Sequence, residues 1–494
     1  MSDTPALTLA DRLSVPPDRR WWILAVICLA QLMDVLDVTI VNIALPHAQA
    51  DLGFSDGDRQ WIVTAYSLTF ASLLLPSGRV CDLVGPRTML LIGLAAFACA
   101  SALGGATPNF GILVTARALQ GAAGAVIAPA ALALLSTTFT QTKERARAFA
   151  VFGAVSGSGA AVGMLLGGAL TQYLDWRFTL YVNVAIAAAA IIGALLLIPR
   201  RPKPEQRPHL DVAGTVLVST GLFCVVYGLA AVESHPWSSP ATWGFLTAGA
   251  VLLAAFAWWQ NRTAHPLLPP RIIVNRNRGG SHLAILIAGI GLFGAFLFLN
   301  FYLQGTLHYT PLMTGLAFLP MVGTLVVAGG IATTQLYPRL GARVPVAIGM
   351  LIAAAAMAWL TRIGSHSTYA EAVLGPLLVF GLGIGATIAP AMSAGTAGVR
   401  PGDAGIASAT VNAAQQIGGS TGTALLNSLA ASALARYLVG KDPASPTDRA
   451  DAVLHSYSTA FWATSAIFAA GAVVCGLILP TQRPDPADLP PPTT

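Results

Sequence analysis

Residues 31–46 read Gln31-Leu-Met-Asp34-Val-Leu-Asp37-Val-Thr-Ile-Val-Asn-Ile-Ala-Leu-Pro46. They lie in an apolar stretch, residues 21–45, that is long enough to cross a bilayer, which takes roughly 20 apolar residues. An ionised carboxylate at that depth costs roughly 2.5–3.5 kcal/mol on insertion scales. Asp34 and Asp37 are therefore candidates to bind a proton, an ion or a cationic ligand. Three residues apart, they share one helix face.

Similar stretches run from end to end. Of 494 residues, 55% are hydrophobic and 10% charged, against about 25% charged in soluble domains. The mean hydropathy is +0.68. This composition excludes a soluble enzyme and an enzyme held by a single anchor. The first stretch is too long, and too acidic, for a cleavable signal peptide. The cysteines Cys28, Cys81, Cys99, Cys224 and Cys475 lie in spans or beside them, so no disulfide framework is expected. The eight histidines are scattered without metal-ligand spacing. No phosphate-binding loop and no nucleophile with a base partner is evident. No metal, cofactor or nucleic-acid partner is expected.

Apolar length predicts an all-α polytopic membrane protein with fourteen spans. They fall near 21–45, 59–77, 88–107, 110–135, 147–170, 178–198, 210–232, 242–259, 282–303, 312–336, 344–363, 371–393, 404–431 and 457–479. With the N-terminus inside, 20 Lys and Arg fall in inner loops. Six fall outside: Arg59, Arg177, Arg362, Arg436, Lys441 and Arg449. The positive-inside rule thus places both termini in the cytoplasm. The ends, 1–20 and 481–494, read as unstructured polar tails.

The chain also repeats. Gly85-Pro-Arg87 with Ile92-Gly93 recurs as Gly341-Ala-Arg343 with Ile348-Gly349. Gly124-Ala-Val-Ile-Ala-Pro-Ala130 recurs as Gly385-Ala-Thr-Ile-Ala-Pro-Ala391, and Gly159-x-x-x-Gly163 as Gly418-x-x-x-Gly422. Three matches in one order, about 260 residues apart, imply two parallel six-helix halves, an arrangement of transporters with a site between the halves. The expected organisation is a bundle at 21–200, a linker at 201–281 carrying two inserted spans, and a bundle at 282–480.

Arg117 is the one unambiguous base in mid-span, and it can pair with either acid in one state and release it in another. The loop Gly78-Arg-Val-Cys-Asp82-Leu-Val-Gly85-Pro-Arg87 is a candidate cytoplasmic gate. Asp82 can meet a helix N-terminus or an arginine there. In span 147–170 the glycines Gly159, Gly163, Gly167 and Gly168 allow helix backbones to approach closely. Tyr66, Phe70, Gln120, Phe296, Tyr302, Gln304, Asn412 and Gln416 are candidates for a pocket suited to flat, lipophilic, cationic compounds.

At these residues the chain resembles the major facilitator superfamily, specifically its 14-span drug/proton antiporter family (QacA/EmrB-like). The signature L-D-x-T-I-V-N-x-A-L-P matches residues 36–46, and R-x-x-Q-G matches Arg117, Gln120 and Gly121. G-x-x-x-D-x-x-G-R-R matches Gly78, Asp82, Gly85 and Arg87, with Pro86 in place of the first basic residue. W-R-x-x-F-x-x-N matches Trp176, Arg177 and Asn183, with Leu180 for Phe. The antiporter motif G-x-x-x-G-P-x-x-G-G reads Gly159-Ala-Ala-Val-Gly163-Met-Leu-Leu-Gly167-Gly168. Met164 replaces its proline, which removes a built-in kink.

The resemblance implies a monomeric, proton-driven exporter of lipophilic drugs or antibiotic-like metabolites in a bacterial plasma membrane, powered by the proton gradient alone. It implies that Asp37 carries the proton or cationic substrate, with Asp34 as an additional acid. The rival readings are a proton-coupled nutrient importer and a non-transporting membrane sensor.

Overall fold

The computed structural model describes residues 17–200, 210–231, 239–365, 367–439, 441 and 445–481. The first half holds α1 (Pro17–Leu52), α2 (Asp56–Val84), α3 (Pro86–Gly105), α4 (Phe110–Thr138), α5 (Thr142–Tyr173) and α6 (Phe178–Leu197). Then come α7 (Val212–Ala231) and α8 (Pro240–Gln260). The last six long helices are α9 (Arg276–Phe301), α10 (Pro311–Ile331), α11 (Arg343–Leu360), α12 (Leu374–Gly395), α13 (Ala404–Tyr437) and α14 (Pro446–Ile478). The expected tails lie almost wholly outside the described residues. Arg19 and Arg20, however, belong to the first turns of α1.

Twelve of these helices are long and apolar enough to cross a membrane, or thirteen if the bent α5 counts as one. The remaining one, α13, carries Asn412, Gln415 and Gln416 through its middle, which lowers its hydropathy without shortening it. Several helices outrun their apolar stretch. The one expected at 457–479 starts at Pro446, capped by the Ser445 side chain on Asp448 N–H. Apolar length measures the bilayer crossing, whereas helices continue into the polar interface.

Packing follows the sequence repeat. In the first half α1 packs on α5, α2 on α4, α3 on α4 and α3 on α6. The counterparts α9 on α13, α10 on α12, α11 on α12 and α11 on α14 do the same. The glycines explain the closest of these contacts. A Cβ on Gly159 or Gly163 would strike Val35 or Leu36 and Thr39 of α1. One on Gly418 or Gly422 would strike the backbone of Leu286 or Ile290 of α9. The repeated loop is also preserved in its backbone, since Gly85 and Gly341 both have positive φ, at 100° and 70°, a conformation that glycine adopts without steric cost. Between the two sets, α5 packs on α10 and α2 on α13, while α7 packs on α8 and α2.

The missing proline does not leave α5 straight. The helix bends by 42° between Glu144–Gly159 and Ala161–Tyr173. The run Ser156-Gly157-Ser158-Gly159 supplies the Gly/Ser pairs at which helices kink without proline.

Candidate functional site

The site forms where α1 crosses α2, α4 and α6. Asp37 is fully buried and both its oxygens are engaged. Oδ2 accepts from Arg117 Nη1 at 2.5 Å. Oδ1 accepts from Gln120 Nε2 at 3.0 Å and Asn183 Nδ2 at 2.6 Å. Arg117 is 1% exposed and donates further to Gln120 Oε1 and to the Ile62 carbonyl. Gln120 completes the network by donating to Ser101 Oγ at 2.8 Å. A buried carboxylate needs such donors to replace its lost hydration.

Asp34 shares the helix with Asp37 but not its partners. Tyr66 donates its hydroxyl to Asp34 Oδ1 at 2.9 Å, and that is the only hydrogen bond Asp34 makes among the described residues. Tyr66 stacks on Phe70 with ring centroids 5.8 Å apart. Its other neighbour is Arg117, whose guanidinium carbon lies 4.6 Å from the tyrosine ring centre. Tyr66 thus touches both acid sites, one through its hydroxyl and the other through its ring. Gly124 makes room for this arrangement, because a Cβ there would lie 2.6 Å from Asp34 Oδ1 and 3.0 Å from the Tyr66 hydroxyl. Two acceptors in the region, Gln31 Oε1 and Asn183 Oδ1, are buried without a partner.

The glycines of α5 join the site to the second half. Gly159, Gly163 and Gly167 abut α1 from Val35 to Ile40, a stretch that holds Asp37 and begins one residue after Asp34. Gly157 and Gly168 abut Leu325 and Leu312 of α10, and Gly153 abuts Ala389 of α12. Small residues at four-residue spacing permit this proximity on both sides.

At the arginine-rich end the two sets of helices are joined by polar contacts. Asp82 accepts from the backbone N–H groups of Gly405 and Ile406 at 2.6 and 3.1 Å, at the N-terminus of α13. Helix N-termini favour an anion in this position. A Cβ on Gly78 would meet Ala409 and the Gly405 carbonyl, so α2 and α13 cross in close contact. Asp403 pairs with Arg79 at 3.7 Å and with Arg271 at 2.7 Å. Arg145 donates to Thr396 Oγ1 at 2.9 Å. These contacts tie the two sets of helices together at the arginine-rich end. Arg87 does not reach across. It donates to the carbonyls of Ile198 and Leu195, at the C-terminus of α6, with Gly85 forming the turn before it.

Of the residues expected to line a pocket, the structure brings Tyr66, Phe70 and Gln120 together with the acids. Tyr302 is fully buried and donates its hydroxyl to the Gly364 carbonyl. Gln304 donates to Asn300 in the π-turn that ends α9. Phe296 packs on Phe318, and Asn412 donates to the Ser408 carbonyl. Gln416 is half-buried on α13. A groove of about 450 Å³ between α3 and α4, lined by Ile92, Ala96, Leu103, Leu119 and Val126 among others, involves none of them.

Sequence reasoning singled out Asp37, Arg117 and Gln120 but not their partners Asn183 and Ser101. Asn183 carried a signal, as the last position of the W-R-x-x-F-x-x-N signature. Ser101 carried none, since a lone serine in a span reads as packing. Arg79 lies within the loop read as the gate but was not singled out there, and Asp403 and Arg271 were not expected at it, because each lies where charge is ordinary.

Comparison with known proteins agrees with this architecture. The Major Facilitator Superfamily profile matches residues 27–423. The puromycin resistance protein of Streptomyces alboniger is 47% identical over 466 residues, covering 94% of this chain and 91% of that protein. The cephamycin export protein of Amycolatopsis lactamdurans is 37% identical, covering 82% and 83%. The tetracenomycin C resistance and export protein of Streptomyces glaucescens is 32% identical, covering 84% and 76%. Among solved structures, the human organic anion transporter MFSD10 superposes with a TM-score of 0.62 at 16% identity, covering 93% of this chain and all of that one, a likeness of fold. With the profile spanning most of the sequence and the repeat visible in the helix packing, this chain belongs to the Major Facilitator Superfamily.

Proposed function

We propose that this protein is a proton-coupled exporter of lipophilic, antibiotic-like compounds across a bacterial cell membrane, working by alternating access. As a member of this superfamily it is a transporter rather than an enzyme. The observation that carries the coupling is the buried constellation Asp34, Asp37 and Arg117, which holds two acids and one base away from water. The names of its relatives, which refer to resistance to or export of puromycin, cephamycin and tetracenomycin C, support export of such compounds.

In this reading all fourteen long helices span the membrane, both termini are cytoplasmic, and the monomer is the working unit. Residues 21–200 and 282–480 move as two bundles, with the inserted pair carried in 201–281. The arginine-rich end then faces the cytoplasm and is closed, and the conformation is the one that opens outward. Opening inward requires Asp82 to leave the α13 N-terminus and the pairs about Asp403 to part. The pocket is built around Tyr66, Phe70 and Gln120, with Phe296, Tyr302, Gln304, Asn412 and Gln416 contributed from the second half. The driving force is the proton gradient without a bound cofactor. One proton moving down a 100 mV potential supplies about 2.3 kcal/mol, enough for a gradient of roughly 50-fold.

Inverted membrane vesicles with an acidified lumen provide the test. Adding puromycin or a lipophilic cationic dye is expected to release lumenal protons, and variants with both acids neutralised should not respond. Persistent movement of labelled solute with no proton release for any compound would exclude proton-coupled export.

A further inference from the structure

The two acids have different commitments, and the difference assigns them different work. Asp37 has both oxygens engaged by three donors, one of them the base Arg117 at 2.5 Å. Placing a cation there requires breaking a buried ion pair. Asp34 accepts a single hydrogen bond, from Tyr66.

The charges sharpen this. Asp34, Asp37 and Arg117 sum to minus one, and elsewhere the Asp, Glu, Lys and Arg of the spans lie near span ends. The groups facing Asp34 are few. On its own helix they are Asp37 and Gln31, α2 offers the Tyr66 hydroxyl, and α4 offers Arg117 on the far side of the Tyr66 ring. Helix α5 meets this part of α1 through Gly159 and Gly163, and α6 brings Asn183, which is spent on Asp37. A net negative charge left unbalanced in such surroundings is costly. One positive charge settles it, and a second does not.

We propose that Asp34 is the exchange acid, holding a proton in one phase of the cycle and the single positive charge of a lipophilic monocation in the other, while Asp37 stays paired with Arg117. This rests on the proton-coupled export reading above and adds to it the acid, the ligand charge and the stoichiometry. The Phe70 ring beside Asp34 supplies an aromatic group that attracts organic cations, the Tyr66 ring being engaged by Phe70 and Arg117. The unpartnered Gln31 Oε1, one turn before Asp34, supplies an acceptor for an N–H on the ligand. Tyr66 is a positioning residue. When Asp34 changes its occupant the tyrosine shifts, and its ring carries the shift to Arg117.

The probe is tetraphenylphosphonium, a permanent monocation with no titratable group, added to purified protein in lipid nanodiscs in weak buffer with a pH indicator. The wild type is expected to release one proton per cation bound. Asp34→Asn is expected to release none and to bind the probe at least about tenfold more weakly, a loss of about 1.4 kcal/mol or more. Asp37→Asn alone frees Arg117 to neutralise Asp34 and is expected to lose release as well. The charge-balanced pair Asp37→Asn with Arg117→Gln restores the net charge and is expected to recover part of the release.

Undiminished release in Asp34→Asn, or loss in the balanced pair alongside retention in Asp34→Asn, would overturn the assignment in favour of Asp37. Should Asp34→Asn fail to fold, the wild type decides. Infrared difference spectra on probe binding should show one protonated carboxyl band lost, and that band should shift in Asp34→Glu. Two protons per cation, or a band that ignores Asp34→Glu, refutes the proposal. Absence of any release in folded wild type that binds the probe removes proton coupling itself, which is a separate failure.

Discussion

The Arg117–Asp37 pair predicts a coupling energy that can be measured. Both groups are essentially without exposure, at 1% and 0%. Removing one partner of a buried pair costs about 3–5 kcal/mol, because the survivor is left charged and unpaired. Asp37 keeps Gln120 and Asn183 as donors when Arg117 is lost, which puts Arg117→Met near the lower end, at about 3 kcal/mol. Asp37→Asn leaves Arg117 with the Ile62 carbonyl and Gln120 Oε1 and its charge offset by Asp34, a smaller loss. The double variant removes both members of the pair and leaves the net charge of the site as in the wild type, so its cost falls well short of the sum. The expected coupling is about 2 kcal/mol, roughly thirtyfold in an equilibrium constant. It exceeds the roughly 0.6 kcal/mol average for hydrogen bonds between membrane helices. The assay is reversible unfolding in mixed micelles for the wild type, the two single variants and the double. A coupling below about 0.5 kcal/mol with folded single variants would mean the pair is not formed in the working protein, since independent sites add to within that margin.

Gly124→Ala should separate Asp34 from Tyr66, since its Cβ would stand 2.6 Å from the carboxylate. Overpacking of this kind costs about 1–3 kcal/mol, seen as a lower unfolding midpoint together with weakened cation binding. Asp82→Asn weakens the hold on Gly405 and Ile406 N–H by about 1 kcal/mol, so cysteines placed at the arginine-rich end should label faster with an impermeant thiol reagent from the cytoplasmic side. Unchanged labelling would show that Asp82 does not hold the gate. Asp211, just before α7, responds to acid. Burial disfavours its charged form, but donation from Gly214 N–H, Trp259 and Gln260 outweighs this and holds the carboxyl below its usual range. Its contribution to stability is therefore full above the ordinary carboxylate range and is lost as the pH falls through its lowered value. Asp211→Asn should flatten the acid limb of the unfolding curve.

Much of this molecule could be read along the chain. Apolar length gave the helices, and the glycine repeat marked α5 and α13 as helices that others can approach closely, because close backbone approach requires small residues at fixed spacing; that the partners are α1 and α9 came from the packing. Asp34, Asp37 and Arg117 stood out for the simple reason that charge in a span is expensive. The residues alone could not divide the labour between the two acids; the family resemblance pointed to Asp37, whereas the packing leads us to assign the exchange to Asp34 instead. They share a helix and a spacing, and what distinguishes them is which neighbour each one meets. Asn183 and Gln120 reach Asp37 from 146 and 83 residues away, and Tyr66 reaches Asp34 from 32. The gate shows the same limit, since Asp82 finds the N-terminus of a helix more than 320 residues later. Spacing along one helix fixes the face a side chain occupies. Only the packing of helices distant in sequence decides what stands opposite it, and for a buried carboxylate that neighbour determines whether the charge is already balanced or still open to a proton or a cation.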